Sequence, residues 1–141
     1  MYIKQLSVFM ENREGRLGEV LSVLKKENIN INSLSLADSS DYGLLRLIVD
    51  KPEEAKDALK SAGLSAKLTD VIGVKISHKV GALEDILEVL CKAHVNIEYM
   101  YALATDSNDA SIVFKTSEPE KVAELIETTD VDLVDVSGLQ G

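Results

Sequence analysis

Glu11-Asn12-Arg13-Glu14-Gly15-Arg16-Leu17 is the stretch whose reading decides the fold. Before it, residues 3–10 are rich in β-forming side chains and read as a strand. After it, Leu17, Val20, Leu21 and Leu24 fall at i, i+3, i+4 and i+7, one apolar face of a helix ending near Glu27. A glycine between strand and helix lets the backbone turn at positive φ and lets a ligand approach closely. The free N–H groups of the helix's first turn point back at that glycine, a place for a small anion. The same arrangement returns at Ser77-His78-Lys79-Val80-Gly81-Ala82-Leu83, with Gly81 66 residues after Gly15.

Outward from the first turn, Asn28-Ile29-Asn30-Ile31 leads into a second strand over residues 29–37. Asp38-Ser39-Ser40-Asp41-Tyr42-Gly43 is a turn cluster, which makes residues 44–49 the other arm of a hairpin. Pro52 suits a first helical position, Ala55, Ala58, Leu59 and Ala62 form a second helical stripe, and residues 64–71 alternate as a fourth strand.

From residue 74 the order repeats. Leu83, Ile86, Leu87 and Leu90 equal the first helical face shifted by 66, Val95-Asn96-Ile97 repeats Ile29-Asn30-Ile31, and Pro119 answers Pro52. Agreement across six elements predicts an internal duplication. The expected units are residues 1–71 and 72–141, joined near residues 70–73 with no linker. The fold class is α+β: two tandem ferredoxin-like βαββαβ units, each an antiparallel sheet in the order 4-1-3-2 with both helices on one face. Strand two is then an edge in each unit, over residues 29–37 and 95–103. These edges carry few charges, so they are expected to be paired within the chain or between chains.

Composition narrows the function. Hydrophobic residues make up 45% of the 141, which supports a packed core, and halves of this size are marginal alone. The net charge is −9, from 24 acids against 15 bases, and no basic cluster exceeds Lys25-Lys26, which argues against nucleic acid. No apolar run approaches the roughly 18 residues of a membrane span, and no signal peptide is visible. A single cysteine, Cys91, fits a reducing, cytoplasmic setting.

Catalytic chemistry finds no constellation. His78 and His94 are the only histidines and stand at no metal-ligand spacing, so neither metal nor cofactor is expected. His94 reads as a solvated helix end. His78 holds the turn position equivalent to Asn12 and reads as either a ligand contact or a loop residue. Cys91 follows the apolar stripe and reads as buried packing. Glu11 and Glu14 read as paired carboxylates or as a solvated turn. Asn30 and Asn96 open strands, where asparagine is disfavoured. An asparagine side chain can meet an ammonium and a carboxylate at once.

These residues resemble a known family. Two βαββαβ units, each with N-x-x-G-x-L or its variant after strand one and V/I-N-I at strand two, are similar to ACT domains over nearly the whole chain. The first turn is especially similar to the regulatory domain of serine-inhibited phosphoglycerate dehydrogenases, which carry a proline at Glu14 and a histidine at Met10. The resemblance implies a free amino acid bound at an interface between two such units. Met10, Glu11, Asn12, Gly15, Arg16 and Leu17 would hold it, with Asn30 from a neighbouring unit. In the second repeat the matching positions are His78, Gly81, Ala82, Leu83 and Asn96. The expectation is a free-standing, non-catalytic amino-acid-binding regulatory protein that forms a homodimer or larger assembly. The alternative is a regulatory subunit docking on an amino-acid-metabolism enzyme, as in the small subunits of acetolactate synthase. A third reading is a small acylphosphatase-like enzyme using Asn12 and Arg13.

Overall fold

A computed structural model of the chain describes residues 2–11, 13–38, 41–76, 81–104 and 110–140. The elements run β1 (Ile3–Glu11), α1 (Arg16–Lys26), β2 (Ile31–Asp38), β3 (Tyr42–Val49), α2 (Pro52–Ser61) and β4 (Ser65–Ile76). They continue with α3 (Ala82–Lys92), β5 (Ile97–Leu103), β6 (Ala110–Thr116), α4 (Pro119–Glu127), β7 (Asp132–Leu133) and α5 (Val136–Gln140). The chain divides into two compact units. The first comprises Lys4–Thr69 and Ser137–Gly141; the second comprises Met1–Ile3 and Asp70–Val136. Each unit thus takes in a terminal segment from the far end of the chain.

In the first unit the strands lie in the order β2-β3-β1-β4, as the connection rules predict. β1 and β3 are antiparallel, with Leu6 opposite Leu47, Val8 opposite Leu45 and Met10 opposite Gly43. Residues directly opposite share a face. Leu6, Val8, Met10, Leu45, Leu47 and Val49 therefore line one side of the sheet, where Val20 and Leu24 of α1 and Ala55 and Leu59 of α2 complete the core. α1 closes on Asn28, whose φ of +56° is left-handed, with Ile29 N–H donating to Leu24 O at 3.0 Å. Pro52 opens α2.

The second unit repeats the plan as β5-β6-β4-β7. Ile72, Val74, Ile76 and Phe114 face Ile86 and Leu90 of α3 and Val122 and Ile126 of α4. His94 is the counterpart of Asn28, with φ +59° and Val95 N–H donating to Leu90 O at 2.9 Å. Its conformation and exposure match a solvated helix end. Cys91, by contrast, is exposed rather than packed, because Ile86 and Leu90 turn the buried side of α3 away from it.

Two elements differ from expectation. The fourth strand of the first unit and the first strand of the second are one strand, β4, and the units divide inside it between Thr69 and Asp70. Gly73 lies in this strand where a Cβ would stand 2.6 Å from Ile3 Cδ1 and 3.0 Å from Val134 Cγ2. Close approach, not a domain boundary, is what requires the glycine. The last strand is expected over residues 131–136, but β7 spans only Asp132–Leu133, opposite Lys75 and Val74. The chain then turns into α5, whose Gln140 serves the first unit. Its Oε1 accepts from Lys4 N–H at 2.9 Å, and its Nε2 donates to Lys4 O at 2.9 Å and Val49 O at 3.0 Å.

Among the described residues β2 has only β3 as a strand neighbour, and β5 has only β6. Leu34 and Leu36 lie opposite Leu47 and Leu45, on the helix side of the sheet, yet are 51% and 48% exposed. Among the described residues no helix is long and apolar enough to cross a membrane.

Candidate functional site

β1 delivers Met10 and Glu11 to the mouth of the first turn. Arg13 N–H donates to Glu11 O at 2.9 Å and Arg16 N–H to Arg13 O at 3.3 Å, which folds the turn back on the strand end. Gly15 then takes φ +87°, a region that L side chains enter only at a cost, and caps α1. Glu19 N–H donating to Gly15 O at 3.0 Å is the first rung of the helix. The N–H groups of Leu17 and Gly18 consequently have no acceptor inside the helix. Arg16 N–H, assigned to a ligand in the sequence reading, is already engaged with Arg13 O. Gly81 copies this conformation at φ +84°, with Asp85 N–H donating to Gly81 O at 3.0 Å.

Between the turn and the sheet lies a cavity of about 300 Å³. Glu11, Arg13 and Arg16 border it with charge; Met10, Leu17, Leu36 and Gly43 border it with apolar surface or bare backbone. Arg13 Nε donates to Glu11 Oε2 at 2.9 Å, and Arg16 Nη1 to Glu19 Oε2 at 2.6 Å. Arg16 Nε is buried and has no hydrogen-bond partner among the described residues. A guanidinium donor out of water and unpaired costs free energy until an acceptor arrives. The cavity is therefore bordered by a carboxylate, two guanidinium side chains, the first turn of a helix and apolar surface, with a buried donor that has no partner among the described residues in one of the bordering side chains. That arrangement suits a small zwitterion.

Of the residues singled out in the sequence, Met10, Glu11, Arg16 and Leu17 border this cavity, and Gly15 caps the helix beside it. Asn12 and His78 lie outside the described residues. Asn30 does not reach this cavity in its own unit. It precedes β2, six residues before Leu36, or roughly 20 Å along an extended strand. There its N–H donates to Asp50 Oδ1 at 3.0 Å and its Nδ2 to Asn32 Oδ1 at 3.1 Å, beside a separate surface hollow with Lys25 and Lys51. Asn96 borders the equivalent hollow of the second unit with Cys91 and His94. Gly81, Ala82 and Leu83 open α3, but Ala82 stands at the place of Arg16 and brings no guanidinium.

Leu36 and Gly43 are cavity walls that the sequence reading did not select. Leu36 precedes the turn cluster and Gly43 ends it; strand register, Met10 opposite Gly43 and Leu36 opposite Leu45, is what brings them to β1. Arg13, the residue that the acylphosphatase reading uses, has its guanidinium paired with Glu11 on an exposed turn.

Residues 1–140 match the model of a family described as an ACT domain pair. Among solved structures, protein BT0572 from Bacteroides thetaiotaomicron is 43% identical and superposes with a TM-score of 0.92, over 99% of this chain and 96% of that one. The regulatory subunit of aspartate kinase from Thermus thermophilus, in its ligand-free form, is 16% identical with a TM-score of 0.63, over 89% and 91%. The corresponding subunit from Thermus flavus gives 16% and 0.60, over 89% and 90%. At such identity these two likenesses concern the fold alone. No curated protein gives a significant match.

Proposed function

The chain belongs to the ACT domain pair family, and on that premise we propose that it is a non-catalytic regulatory protein that binds a free amino acid at the turn of its first unit. ACT domains are regulatory ligand-binding modules. The observation that carries the reading is that Arg16, which opens α1 and borders the cavity, has a buried Nε with no hydrogen-bond partner among the described residues. The ligand's carboxylate takes this donor and the N–H groups of Leu17 and Gly18 near the positive end of the helix dipole, and its ammonium takes Glu11. Gly15 gives the turn its left-handed backbone at the start of α1.

Asn30 of a second copy completes the site, and the copies meet along β2, where Leu34 and Leu36 are uncovered. A homodimer or larger assembly in the cytoplasm is the working state. A ligand touching both copies favours their docked arrangement over any other, and that population shift is the signal. Whether the second turn, with His78, Gly81, Ala82, Leu83 and Asn96, binds too depends on groups other than a guanidinium. The exposed β2 edge supports a second reading, a regulatory subunit docked on an amino-acid-metabolism enzyme. Copurification of a larger enzyme separates the two.

A thermal-shift screen of the twenty amino acids tests the proposal. At about 100 times its dissociation constant a ligand adds roughly 2.7 kcal/mol, several degrees in Tm for a chain of this size. No shift with any amino acid would refute it.

A further inference from the structure

We infer that the two uncovered strand edges have opposite roles. β2 pairs with β2 of a second copy, whereas β5 of the second unit is closed to pairing by its own side chains, so assembly stops at two copies joined through their first units. The inference rests on the pairing of copies along β2 given above and adds where that pairing ends.

The internal repeat lets the two edges be compared position by position. Asn32 answers to Glu98, Leu34 to Met100 and Leu36 to Ala102. The registers agree: Leu34 lies opposite Leu47 as Met100 lies opposite Phe114, and Leu36 opposite Leu45 as Ala102 opposite Ile112. Between Ile31 and Ala37, β2 carries no charged residue, and both its leucines are half exposed. On β5 the leucines give way to an exposed methionine and an exposed alanine, and the neutral amide gives way to an exposed carboxylate. Pairing along β5 would therefore bury less apolar surface and bring a negative charge from each copy to the edge. Charge on an edge strand blocks pairing, because a neighbouring strand would have to desolvate it.

Charge beyond the strands follows the same division. Of the 24 acids and 15 bases, ten of each lie in the first unit. The second unit keeps the other 14 acids against 5 bases and so carries the whole net charge of −9. Two first units meet with no net repulsion, whereas two second units repel. The helix beside β5 adds to this. α3 shares a surface hollow with Ile97 at the start of β5, and it exposes Glu84, Asp85 and Glu88. Among the described residues only Glu88 of these three has an ion-pair partner, Lys92 at 3.0 Å. Exposed apolar bulk is divided the opposite way. Among the described residues Phe9, Leu34, Leu36 and Tyr42 belong to the first unit and Met100 alone to the second.

Sedimentation velocity of the full chain at micromolar concentration tests this, on wild type and three variants. Wild type is expected at twice 15.4 kDa, with no larger species. Met100→Lys, on the closed edge, should leave that mass unchanged, and Leu34→Lys with Leu36→Lys should halve it. Glu98→Asn with Ala102→Leu copies the β2 residues onto β5 and should open the second edge, giving species beyond two copies whose share grows with concentration. All the altered side chains are exposed, so the variants fold, and far-UV circular dichroism verifies it. Wild type larger than two copies, a mass lowered by Met100→Lys, or Glu98→Asn with Ala102→Leu remaining at two copies overturns the closed edge while leaving the β2 pairing intact. Wild type at 15.4 kDa, or Leu34→Lys with Leu36→Lys remaining at two copies, overturns the β2 pairing and the closure together.

Discussion

Replacing Arg16 with methionine should move stability and binding in opposite directions. Methionine keeps the apolar stem and the helix propensity but removes the guanidinium. In the ligand-free protein the substitution removes a buried unpaired donor, worth about 1–3 kcal/mol in relief. It also removes the Arg16–Glu19 ion pair, whose side chains are 21% and 50% exposed and which contributes roughly 0.2–1 kcal/mol. The balance is a gain of about 0–3 kcal/mol. In the complex the same change deletes a charge-assisted hydrogen bond of about 1.5–3 kcal/mol, which weakens binding about 10- to 150-fold. Urea denaturation with and without the amino acid picked by the thermal screen reads both effects. At a concentration 100 times the wild-type Kd, ligand stabilisation should fall from roughly 2.7 to roughly 0.6 kcal/mol for a 50-fold weaker complex. A variant less stable than wild type by more than roughly 1 kcal/mol, yet stabilised equally by ligand, would refute the assignment of Arg16 as a donor held for the ligand.

Other outcomes follow from the same geometry. Gly15→Ala meets no steric obstacle but places a Cβ at φ +87°, so equilibrium unfolding should show a loss of about 1–2 kcal/mol, and Gly15→Asn a smaller one. Gly73→Ala forces Ile3 and Val134 to move and should cost about 1–3 kcal/mol by the same measurement. Light scattering of wild type at micromolar concentration should give a mass above the 15.4 kDa of one chain, and Leu34→Lys with Leu36→Lys should return it to that value. Asn30→Ala should weaken ligand binding without altering the fold of the chain, as read by calorimetry and circular dichroism.

The repeat made most of the fold readable. Hydrophobic spacing at Leu17 to Leu24 and at Leu83 to Leu90, the paired prolines and the turn glycines each have a local physical cause, so they show in the sequence. The fusion of two strands into β4 does not, because continuous apolar residues read alike whether a strand ends or runs on. The helix α5 is five residues long, too short for any period, and its anchoring through the Gln140 amide is a long-range event. At the cavity, Met10, Glu11, Arg16 and Leu17 are close in sequence, so the turn itself points to them. Leu36 and Gly43 join them only through strand register, and the burial of Arg16 Nε depends on how the side chain packs.

The most direct test of the binding site is a two-dimensional ¹⁵N–¹H titration of the full chain with the amino acid that gives the largest thermal shift. The account predicts that the largest and saturable changes fall on the amides of Leu17 and Gly18, with Leu36 and Gly43 moving in step. Saturation with those four amides unmoved, and the changes gathered elsewhere, would contradict it.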